Sequence, residues 1–372
     1  MKLTSSQNNK SPLSLYVHLP WCERRCPYCD FSITTDPVGK NDLALAKAII
    51  KDINNSSPLI NGRNFSTIYF GGGTPSLSSI DAIEMILNSV KSHYSNKDIE
   101  ITFEMNPADV TKEKVNGLSS IGVNRFSLGV QSFHNAELEA LGRNHDKSSA
   151  LNAINILAER NITVDLMYGI ELQTIQSFED TLNQFIESRV NHLSLYQLTI
   201  EPNTIYYKKA LKLPMEEEIE AMENTSKTLL EKNGYYQYEV SSWSKDGFES
   251  KHNLNYWMFG DFLGVGPGAH SKITSKDKIS RFRKIKPLNA YIKNQKITDN
   301  NILLGDDLDM DLAMNLLRIK KGIALNELQT ELPKSFLKKY LKGVSKGLLT
   351  KDKIGATKKG YQYLNETINL FF

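Results

Sequence analysis

All three cysteines of this 372-residue chain lie in one short segment, Cys22-Glu-Arg-Arg-Cys26-Pro-Tyr-Cys29, directly after the apolar run 14–19. An odd number of cysteines at this spacing does not build a disulfide framework. Three thiolates on one tight loop can instead hold three irons of a 4Fe-4S cluster and leave the fourth iron open for chemistry. The spacing therefore indicates an iron-sulfur site with one free corner.

A structural zinc site is the alternative interpretation of the same residues. Zinc usually takes four ligands, and His18 could supply the fourth beside the three thiolates. Structural zinc sites more often place two pairs of ligands on separate turns, and the sequence has no second cysteine pair. The spacing favours the iron-sulfur cluster and leaves zinc open.

Composition limits the class of partner. The formal net charge is +3 and the sequence lacks long blocks of lysine or arginine, which argues against a nucleic-acid or anionic-membrane surface. Residues 1–12 form a short polar N-terminus without the apolar core of a signal peptide, and no run approaches the ~18 apolar residues of a spanning helix. We therefore expect a cytoplasmic protein without a membrane anchor, in a reducing compartment where thiols stay available for metal.

Short β-rich runs alternate with helical patterns over residues 13–210, which is typical of parallel βα units in an α/β fold. Six such units are too few for a closed eight-stranded barrel and predict an open, TIM-like (β/α)6 partial barrel. Residues 211–300 are expected to form a connecting region with a glycine-rich loop at 260–270, and residues 301–372 a smaller, mainly helical α+β domain with a hairpin at 348–356. The predicted strands are 15–19, 67–70, 99–104, 125–128, 163–167 and 192–197.

Polar and glycine-rich residues follow these strands at their C-terminal ends, where barrel enzymes place their active sites. The turn Gly71-Gly-Gly-Thr74-Pro75 removes side chains where a ligand must approach the backbone, although such turns also serve ordinary packing. Glu104 and Asp165 are carboxylates that are costly to bury without a cation, a ribose hydroxyl or an arginine as partner. Arg143 could clamp a carboxylate, but on its own it is better explained as a surface salt bridge.

The segment His252-Asn-Leu-Asn-Tyr-Trp257 combines a histidine with two aromatic rings. The imidazole could bind heme iron while the rings hold the face of a porphyrin. The same segment could equally anchor the connecting region on the barrel, since lone histidines are usually structural. These residues by themselves leave both roles open.

Seven segments together resemble the oxygen-independent coproporphyrinogen III oxidase superfamily of radical S-adenosylmethionine (SAM) proteins: 16–22, 26–31, 70–76, 125–133, 141–146, 165–169 and 264–270. The resemblance extends from about residue 13 to the C-terminus. It implies that Cys22, Cys26 and Cys29 ligate a 4Fe-4S cluster, whose free iron chelates SAM and whose electron cleaves it to a 5'-deoxyadenosyl radical. It also implies SAM contacts for Tyr16, Tyr28, Gly72, Gly73, Thr74, Glu104, Gln131, Arg143 and Asp165.

Two branches of this superfamily differ in features that the sequence displays. The oxidase branch carries a fourth cysteine two residues after the third and an N-terminal extension, whereas this chain has Phe31 there and only about a dozen residues before its first strand. Residues 252–257 resemble the H-N-x-x-Y-W motif of the sister branch, the HemW-type heme chaperones, which are understood to bind heme and deliver it to respiratory enzymes. The resemblance thus implies a heme chaperone with a radical SAM core, His252 as a heme contact and respiratory heme proteins as recipients.

The alternative within the superfamily is an oxygen-independent coproporphyrinogen III oxidase, which decarboxylates two propionates to vinyl groups. Whether the chain is an enzyme, which apoprotein receives heme, whether SAM is cleaved and what the oligomeric state is remain undetermined by the sequence. One departure from the family concerns residues 170–174, which are Ile-Glu-Leu-Gln-Thr where Leu-Pro-Gly-Gln-Thr is more usual. This departure puts the geometry of that loop in question.

Overall fold

The computed structural model describes residues 12–39, 41–94, 99–275 and 278–372, so the expected polar N-terminus lies outside the described residues except for Pro12. The strands are β1 (Leu13–Leu19), β2 (Phe65–Gly72), β3 (Glu100–Met105), β4 (Arg125–Gln131), β5 (Asn161–Tyr168), β6 (His192–Gln197), β7 (Tyr236–Glu239), β8 (Ser242–Ser244), β9 (Asp261–Val265), β10 (His270–Ser275), β11 (Lys278–Lys284) and β12 (Ile297–Leu303). The helices are α1 (Asn41–Asn55), α2 (Ser57–Ile60), α3 (Ile80–Val90), α4 (Lys112–Ser120), α5 (Asn135–Ala140), α6 (Lys147–Leu157), α7 (Ile175–Glu187), α8 (Glu216–Lys232), α9 (Lys251–Trp257), α10 (Leu288–Lys293), α11 (Gly305–Leu316), α12 (Lys334–Ser345), α13 (Lys358–Gln362) and α14 (Leu364–Ile368).

Across the described ranges, all twelve strands join one open sheet in the order β12-β11-β10-β9-β1-β2-β3-β4-β5-β6-β8-β7. The seven neighbouring strands from β9 to β6 run parallel, and the outer strands on both sides are antiparallel. The α/β class is confirmed, and the six predicted strands overlap β1 to β6. Their parallel arrangement brings six strand C-termini, and the loops that follow them, to one edge of the sheet.

The sheet has twelve strands, six more than were predicted for the partial barrel. Strand β9 lies inside the segment expected to be a glycine-rich loop, and it pairs in parallel with β1. A side chain at Gly264 would place its Cβ 2.0 Å from the His270 carbonyl oxygen, so glycine is required because two backbones approach closely there. Strand β12 is exposed along almost its whole length and therefore shows no alternation of apolar and polar residues that could have revealed it.

Helices bury apolar faces against the sheet. In α3 the buried residues Ala82, Ile83, Ile86, Leu87 and Val90 follow the three-to-four-residue spacing of one helix face. The Ser79 side chain accepts a hydrogen bond from the Ala82 backbone N–H and so caps the start of α3. None of the helices in the described part of the chain has the length and apolar character needed to cross a bilayer.

A second hydrophobic cluster lies mostly in the C-terminal segment. Phe336, Tyr340 and Phe371 stack within it, and it also includes residues of α11 and, from outside the segment, Phe259. The expected hairpin at 348–356 is reduced to single antiparallel bridges, Leu349 to Ala356 and Ile323 to Ile354. Apolar residues of the strands and of the helices that cover them form the larger cluster.

Candidate functional site

A cavity of about 360 Å³ is lined by the cysteine loop, by residues of β2 to β6 and the loops after them, and by the start of α9. Tyr16 and His252 do not line it, but both rings pack on Tyr69, which does. The other site residues expected from the sequence all meet at the cavity: Cys22, Cys26, Cys29, Tyr28, Gly72, Gly73, Thr74, Glu104, Gln131, Arg143 and Asp165.

The cysteine loop leaves β1 and is closed at its neck by backbone hydrogen bonds. The Cys22 N–H donates to the Thr34 carbonyl at 2.9 Å, and the Thr34 N–H donates to the Pro20 carbonyl at 2.8 Å. Within the loop the Cys29 N–H donates to the Cys26 carbonyl at 3.1 Å, which tightens the turn between these two residues. The closed neck holds three half-buried thiols against the cavity although the loop has little regular structure.

The thiols fit an iron-sulfur cluster by their chemistry and by their neighbours. Cys22 Sγ lies 3.6 Å from Thr74 Oγ1, and Cys26 Sγ lies 3.9 Å from an Arg143 guanidinium nitrogen. Burial raises the pKa of the Cys22 thiol to about 11, so the thiolate would have to be stabilised by a bound metal. No three His, Cys, Asp or Glu side chains of the described residues gather around the position of one ion. A cluster does not need that arrangement, because each cysteine binds a different iron atom.

Zinc loses its expected fourth ligand in this geometry. His18 Nε2 lies 2.7 Å from the Ser32 carbonyl oxygen, and Nδ1 lies 3.2 Å from the Tyr16 hydroxyl. Both ring nitrogens therefore already have partners within the fold. Burial also lowers the pKa of His18 to about 4, which keeps this imidazole neutral.

The glycine turn after β2 packs directly on the backbone of the cysteine loop. The Thr74 N–H donates to the Trp21 carbonyl at 2.6 Å, and the Gly73 N–H donates to the Leu19 carbonyl at 2.8 Å. A Cβ atom at Gly73 would lie 2.4 Å from the Trp21 carbonyl oxygen. Gly72 adopts a φ of 119°, which side chains rarely tolerate. The turn is glycine-rich because any side chain would separate it from the cysteine loop.

Two carboxylates face the cavity with part of their hydrogen-bonding capacity in use. Glu104 accepts from the Tyr69 hydroxyl at 2.8 Å and from the Gly72 N–H at 3.1 Å. Asp165 accepts from the Ser127 hydroxyl at 2.9 Å. Desolvation raises the pKa of Glu104 to about 7 and that of Asp165 to about 6. Such carboxylates are suited to accept hydrogen bonds from ribose hydroxyls or from an ammonium group of a ligand.

Arg143 and Gln131 meet beside a bulge in β4. The pairing of β4 with β5 shifts between Gly129 and Gln131, and Gln131 adopts a φ of 71°. Bulges re-aim side chains, and this one accompanies the placement of Gln131 at the cavity wall. An Arg143 guanidinium nitrogen donates to the Gly129 carbonyl at 2.9 Å, while Arg143 Nε has no hydrogen-bond partner among the described residues. That nitrogen is a free donor beside the cavity.

His252 is buried and its environment is specific. Its Nδ1 lies 2.8 Å from Thr67 Oγ1, and its ring packs at 4.9 Å from the ring of Tyr69. Tyr16 also packs on Tyr69, and the two ring centroids are 6.1 Å apart. The heme contact predicted for His252 and the SAM contact predicted for Tyr16 therefore stay predictions, since neither side chain lines the cavity.

Among the cavity-lining residues that sequence reasoning missed are Tyr69, Arg125 and His192. Arg125 donates to Thr163 Oγ1 at 3.0 and 3.2 Å. His192 Nε2 lies 2.8 Å from the Tyr238 hydroxyl. Arg125 and His192 could have been found from the sequence, because each is a charged or imidazole side chain at the first residue of a largely apolar strand. Such a group needs a polar partner inside the fold.

Comparison with known proteins identifies the family. The model of the radical SAM superfamily matches residues 16–185. The chain is 36% identical over 371 residues to the protein named heme chaperone HemW of Buchnera aphidicola subsp. Acyrthosiphon pisum (strain APS), covering 97% of this chain and 98% of that protein. It is 36% identical over 372 residues to heme chaperone HemW of Escherichia coli (strain K12), with the same coverage of both.

The fold is similar to that of a solved structure, coproporphyrinogen III oxidase (HemN) from Escherichia coli, described as a radical SAM enzyme. The TM-score is 0.80 at 23% sequence identity, over 97% of this chain and 90% of the other. The two molecules therefore share their architecture. On the sequence matches, which run over nearly the whole length of both partners, the chain belongs to the radical SAM superfamily and, within it, to the family of heme chaperone HemW.

Proposed function

We propose that the chain is a heme chaperone built on a radical SAM site, which binds heme and passes it to apoproteins. The observation that carries this proposal is the 36% identity, over 97% of the chain, to relatives named heme chaperone HemW. The likeness to the coproporphyrinogen III oxidase structure, at 23% identity, supports a common fold and does not extend to the activity.

The superfamily implies a 4Fe-4S cluster and SAM, and the cavity offers residues for both. Cys22, Cys26 and Cys29 would hold the cluster, which supplies single electrons to SAM when both are bound. The turn at 72–74 would present backbone and hydroxyl groups to SAM. Glu104 would accept hydrogen bonds from it, since both of its oxygens are already oriented by Tyr69 and Gly72. Tyr16, Tyr28, Gln131, Arg143 and Asp165 are proposed as further SAM contacts.

Phe31 supports the chaperone over the oxidase. It occupies the position at which the oxidase branch carries its fourth cysteine, it is 60% exposed, and it lines the cavity. An aromatic ring at this place offers apolar surface to a porphyrin and no thiol. The oxidase remains the second candidate because the cavity and the proposed cofactor site suit either activity.

His252 is our proposed heme contact. The Thr67 hydroxyl donates to Ser14 at 2.7 Å, so it accepts a hydrogen bond from the Nδ1–H of His252. This assigns the proton to Nδ1 and leaves the lone pair of Nε2 as the one that would bind heme iron. Burial lowers the pKa of His252 to about 3, which keeps that lone pair unprotonated at neutral pH.

The test uses anaerobic, cluster-reconstituted protein and two assays in parallel. In the first, the protein is titrated with heme; we expect a saturable complex that His252→Ala abolishes and that His270→Ala, at an exposed histidine, preserves. In the second, SAM, a reductant and coproporphyrinogen III are added, with a known oxidase alongside. Formation of protoporphyrin by this chain would overturn the proposal in favour of the oxidase, and failure to bind heme would refute it directly.

We further propose that residues 13–210 form the radical SAM partial barrel, that 211–300 connect it, and that 301–372 form the smaller α+β domain. The second hydrophobic cluster supports the last boundary because most of its buried residues follow residue 301, although Phe259 also belongs to it. The connecting residues add β7 to β11 and the first part of β12 to the same sheet, so the boundary at 210 does not separate one sheet from another. Cytoplasmic location and respiratory heme proteins as recipients complete the proposal, on the composition and the resemblance described above.

A further inference from the structure

Aromatic rings form a row that begins on α9 and ends at the cavity. The ring of His252, on α9, lies 4.9 Å from that of Tyr69, on β2, at a tilt of 36°. Tyr69 also packs on Tyr16 of the neighbouring strand β1, with the ring centroids 6.1 Å apart. The hydroxyl of Tyr69 points to the cavity and donates to Glu104 at 2.8 Å. One side chain thus joins the histidine of α9 to a carboxylate of the cavity wall.

The inner end of this row lies on the proposed SAM site. The two oxygens of Glu104 have separate partners, the Tyr69 hydroxyl and the Gly72 N–H. Together these hydrogen bonds fix the direction of the carboxylate and tie it to the glycine turn. If the Tyr69 ring moved, Glu104 would lose one of its two constraints and could turn away from a ligand.

His252, at the other end of the row, is held by hydrogen bonds as well as by ring packing. The backbone N–H of His252 donates to Glu100 at 2.9 Å, and the Lys251 N–H donates to the same carboxylate at 3.1 Å, which caps the start of α9. The imidazole Nδ1 is bonded to Thr67 on β2, two residues before Tyr69. Strand β2 and helix α9 therefore hold the imidazole in one orientation against the Tyr69 ring.

We propose that His252 is a positioning residue for the SAM pocket: by packing on Tyr69 it fixes the hydroxyl that orients Glu104. The proposal rests on the SAM site proposed above and goes beyond it, because it gives the histidine of the heme-chaperone motif a second task. The proposed heme site and the proposed SAM site then share the side chain of His252. A heme contact at His252 Nε2 would change the position of the Tyr69 ring and so the orientation of Glu104.

Two substitutions separate this task from heme contact. His252→Ala removes the ring that supports Tyr69, and we expect SAM affinity to fall about tenfold, the scale of one hydrogen bond to a charged group. His252→Phe keeps a ring against Tyr69 but removes both nitrogens, including the bond to Thr67, so SAM affinity should fall less than in His252→Ala while heme binding is lost. Tyr69→Phe, which deletes only the hydroxyl, should weaken SAM binding at least as much as His252→Ala.

The measurement is equilibrium dialysis of SAM with cluster-reconstituted protein, supported by the EPR signal of the reduced cluster with and without SAM. The double variant His252→Ala, Tyr69→Phe should bind SAM no more weakly than Tyr69→Phe alone, because both changes act through one hydroxyl. Leu254→Ala is the matched control: this residue lies on the same helix but packs against the C-terminal cluster, and its SAM affinity should be unchanged.

Unchanged SAM affinity in His252→Ala would overturn the proposal. It would also be overturned if the double variant bound SAM more weakly than Tyr69→Phe alone, or if Leu254→Ala lost as much SAM affinity as His252→Ala. If the unchanged protein binds SAM and gives the expected pattern but does not bind heme, the positioning role stands and the chaperone function fails. If it binds heme but not SAM, the positioning role fails and the chaperone function stands.

Discussion

Leu172 occupies a backbone conformation that favours glycine. It lies in the turn after β5, where the Gln173 N–H donates to the Ile170 carbonyl at 3.0 Å, and its φ is 71°. This is the third position of a four-residue turn, at which a positive φ calls for glycine. The related family more often has glycine there, and the leucine side chain is 65% exposed. The loop at residues 170–174 therefore keeps the turn although it lacks the glycine, and Leu172 is held in a strained backbone conformation.

The size of that strain is open to measurement. A left-handed conformation destabilises the folded state by about 1 to 2 kcal/mol for a residue with a side chain. Glycine avoids this cost but loses about 0.5 to 1 kcal/mol of folding free energy, because it has more conformational freedom in the unfolded chain. We therefore expect Leu172→Gly to be more stable than Leu172→Ala by about 1 kcal/mol. Comparing these two variants cancels the packing lost with the leucine, because both remove it.

The assay is the denaturant midpoint of each variant, with Leu341 as the control position. Leu341 is 66% exposed, like Leu172, but lies within α12, where glycine is less stable than alanine by about 1 kcal/mol. The order of the glycine and alanine variants should thus reverse between the two sites. If Leu172→Gly proved less stable than Leu172→Ala, the turn would not be strained and the reasoning would be wrong.

Two further predictions concern the cavity. Gly73→Ala would press its Cβ against the Trp21 carbonyl oxygen, so we expect this variant to hold much less iron after reconstitution than the control Gly117→Ala. In the control, the new Cβ would meet only the movable side chain of Ile80, and equal iron content in the two variants would contradict the prediction. SAM binding should strengthen as the pH rises through about 7, because Glu104 is protonated below its raised pKa and accepts hydrogen bonds fully only above it. Dialysis across this range should show a smaller step in Glu104→Gln, leaving the contribution of Asp165 near pH 6, and an unaltered profile in that variant would exclude the role of Glu104.

Strands β1 to β6 could be predicted because they are buried apolar runs separated by helical patterns. Strand β9 could not, since Gly264 and the glycines that flank the strand indicated a loop. Gly264 is required by close contact with the backbone of β10, and local propensity carries no information on such a contact. The exposed strand β12 carries no periodic signal at all. Pairing in a sheet is a tertiary property, so edge strands with polar faces are the elements that sequence reasoning loses first.

The site divides in the same way. Residues on tight spacing, such as Cys22 and the glycine turn, were found because their chemistry and geometry are local. Tyr69 was missed because its importance comes from Glu104, 35 positions away, and from His252, which lies still further along the chain. His252 was noticed for its residue type and for its motif, and neither indicated that its ring would rest on a tyrosine of β2 rather than line the cavity.

The closed neck of the cysteine loop bears on what the loss of one cysteine would do. The hydrogen bonds from Cys22 to Thr34 and from Thr34 to Pro20 join backbone atoms and involve none of the three thiols. In small zinc domains, by contrast, metal binding supplies the folding free energy. Here the neck of the loop and the proposed metal ligands use different atoms. Replacing one cysteine side chain therefore removes a ligand and leaves the backbone bonds of the neck in place.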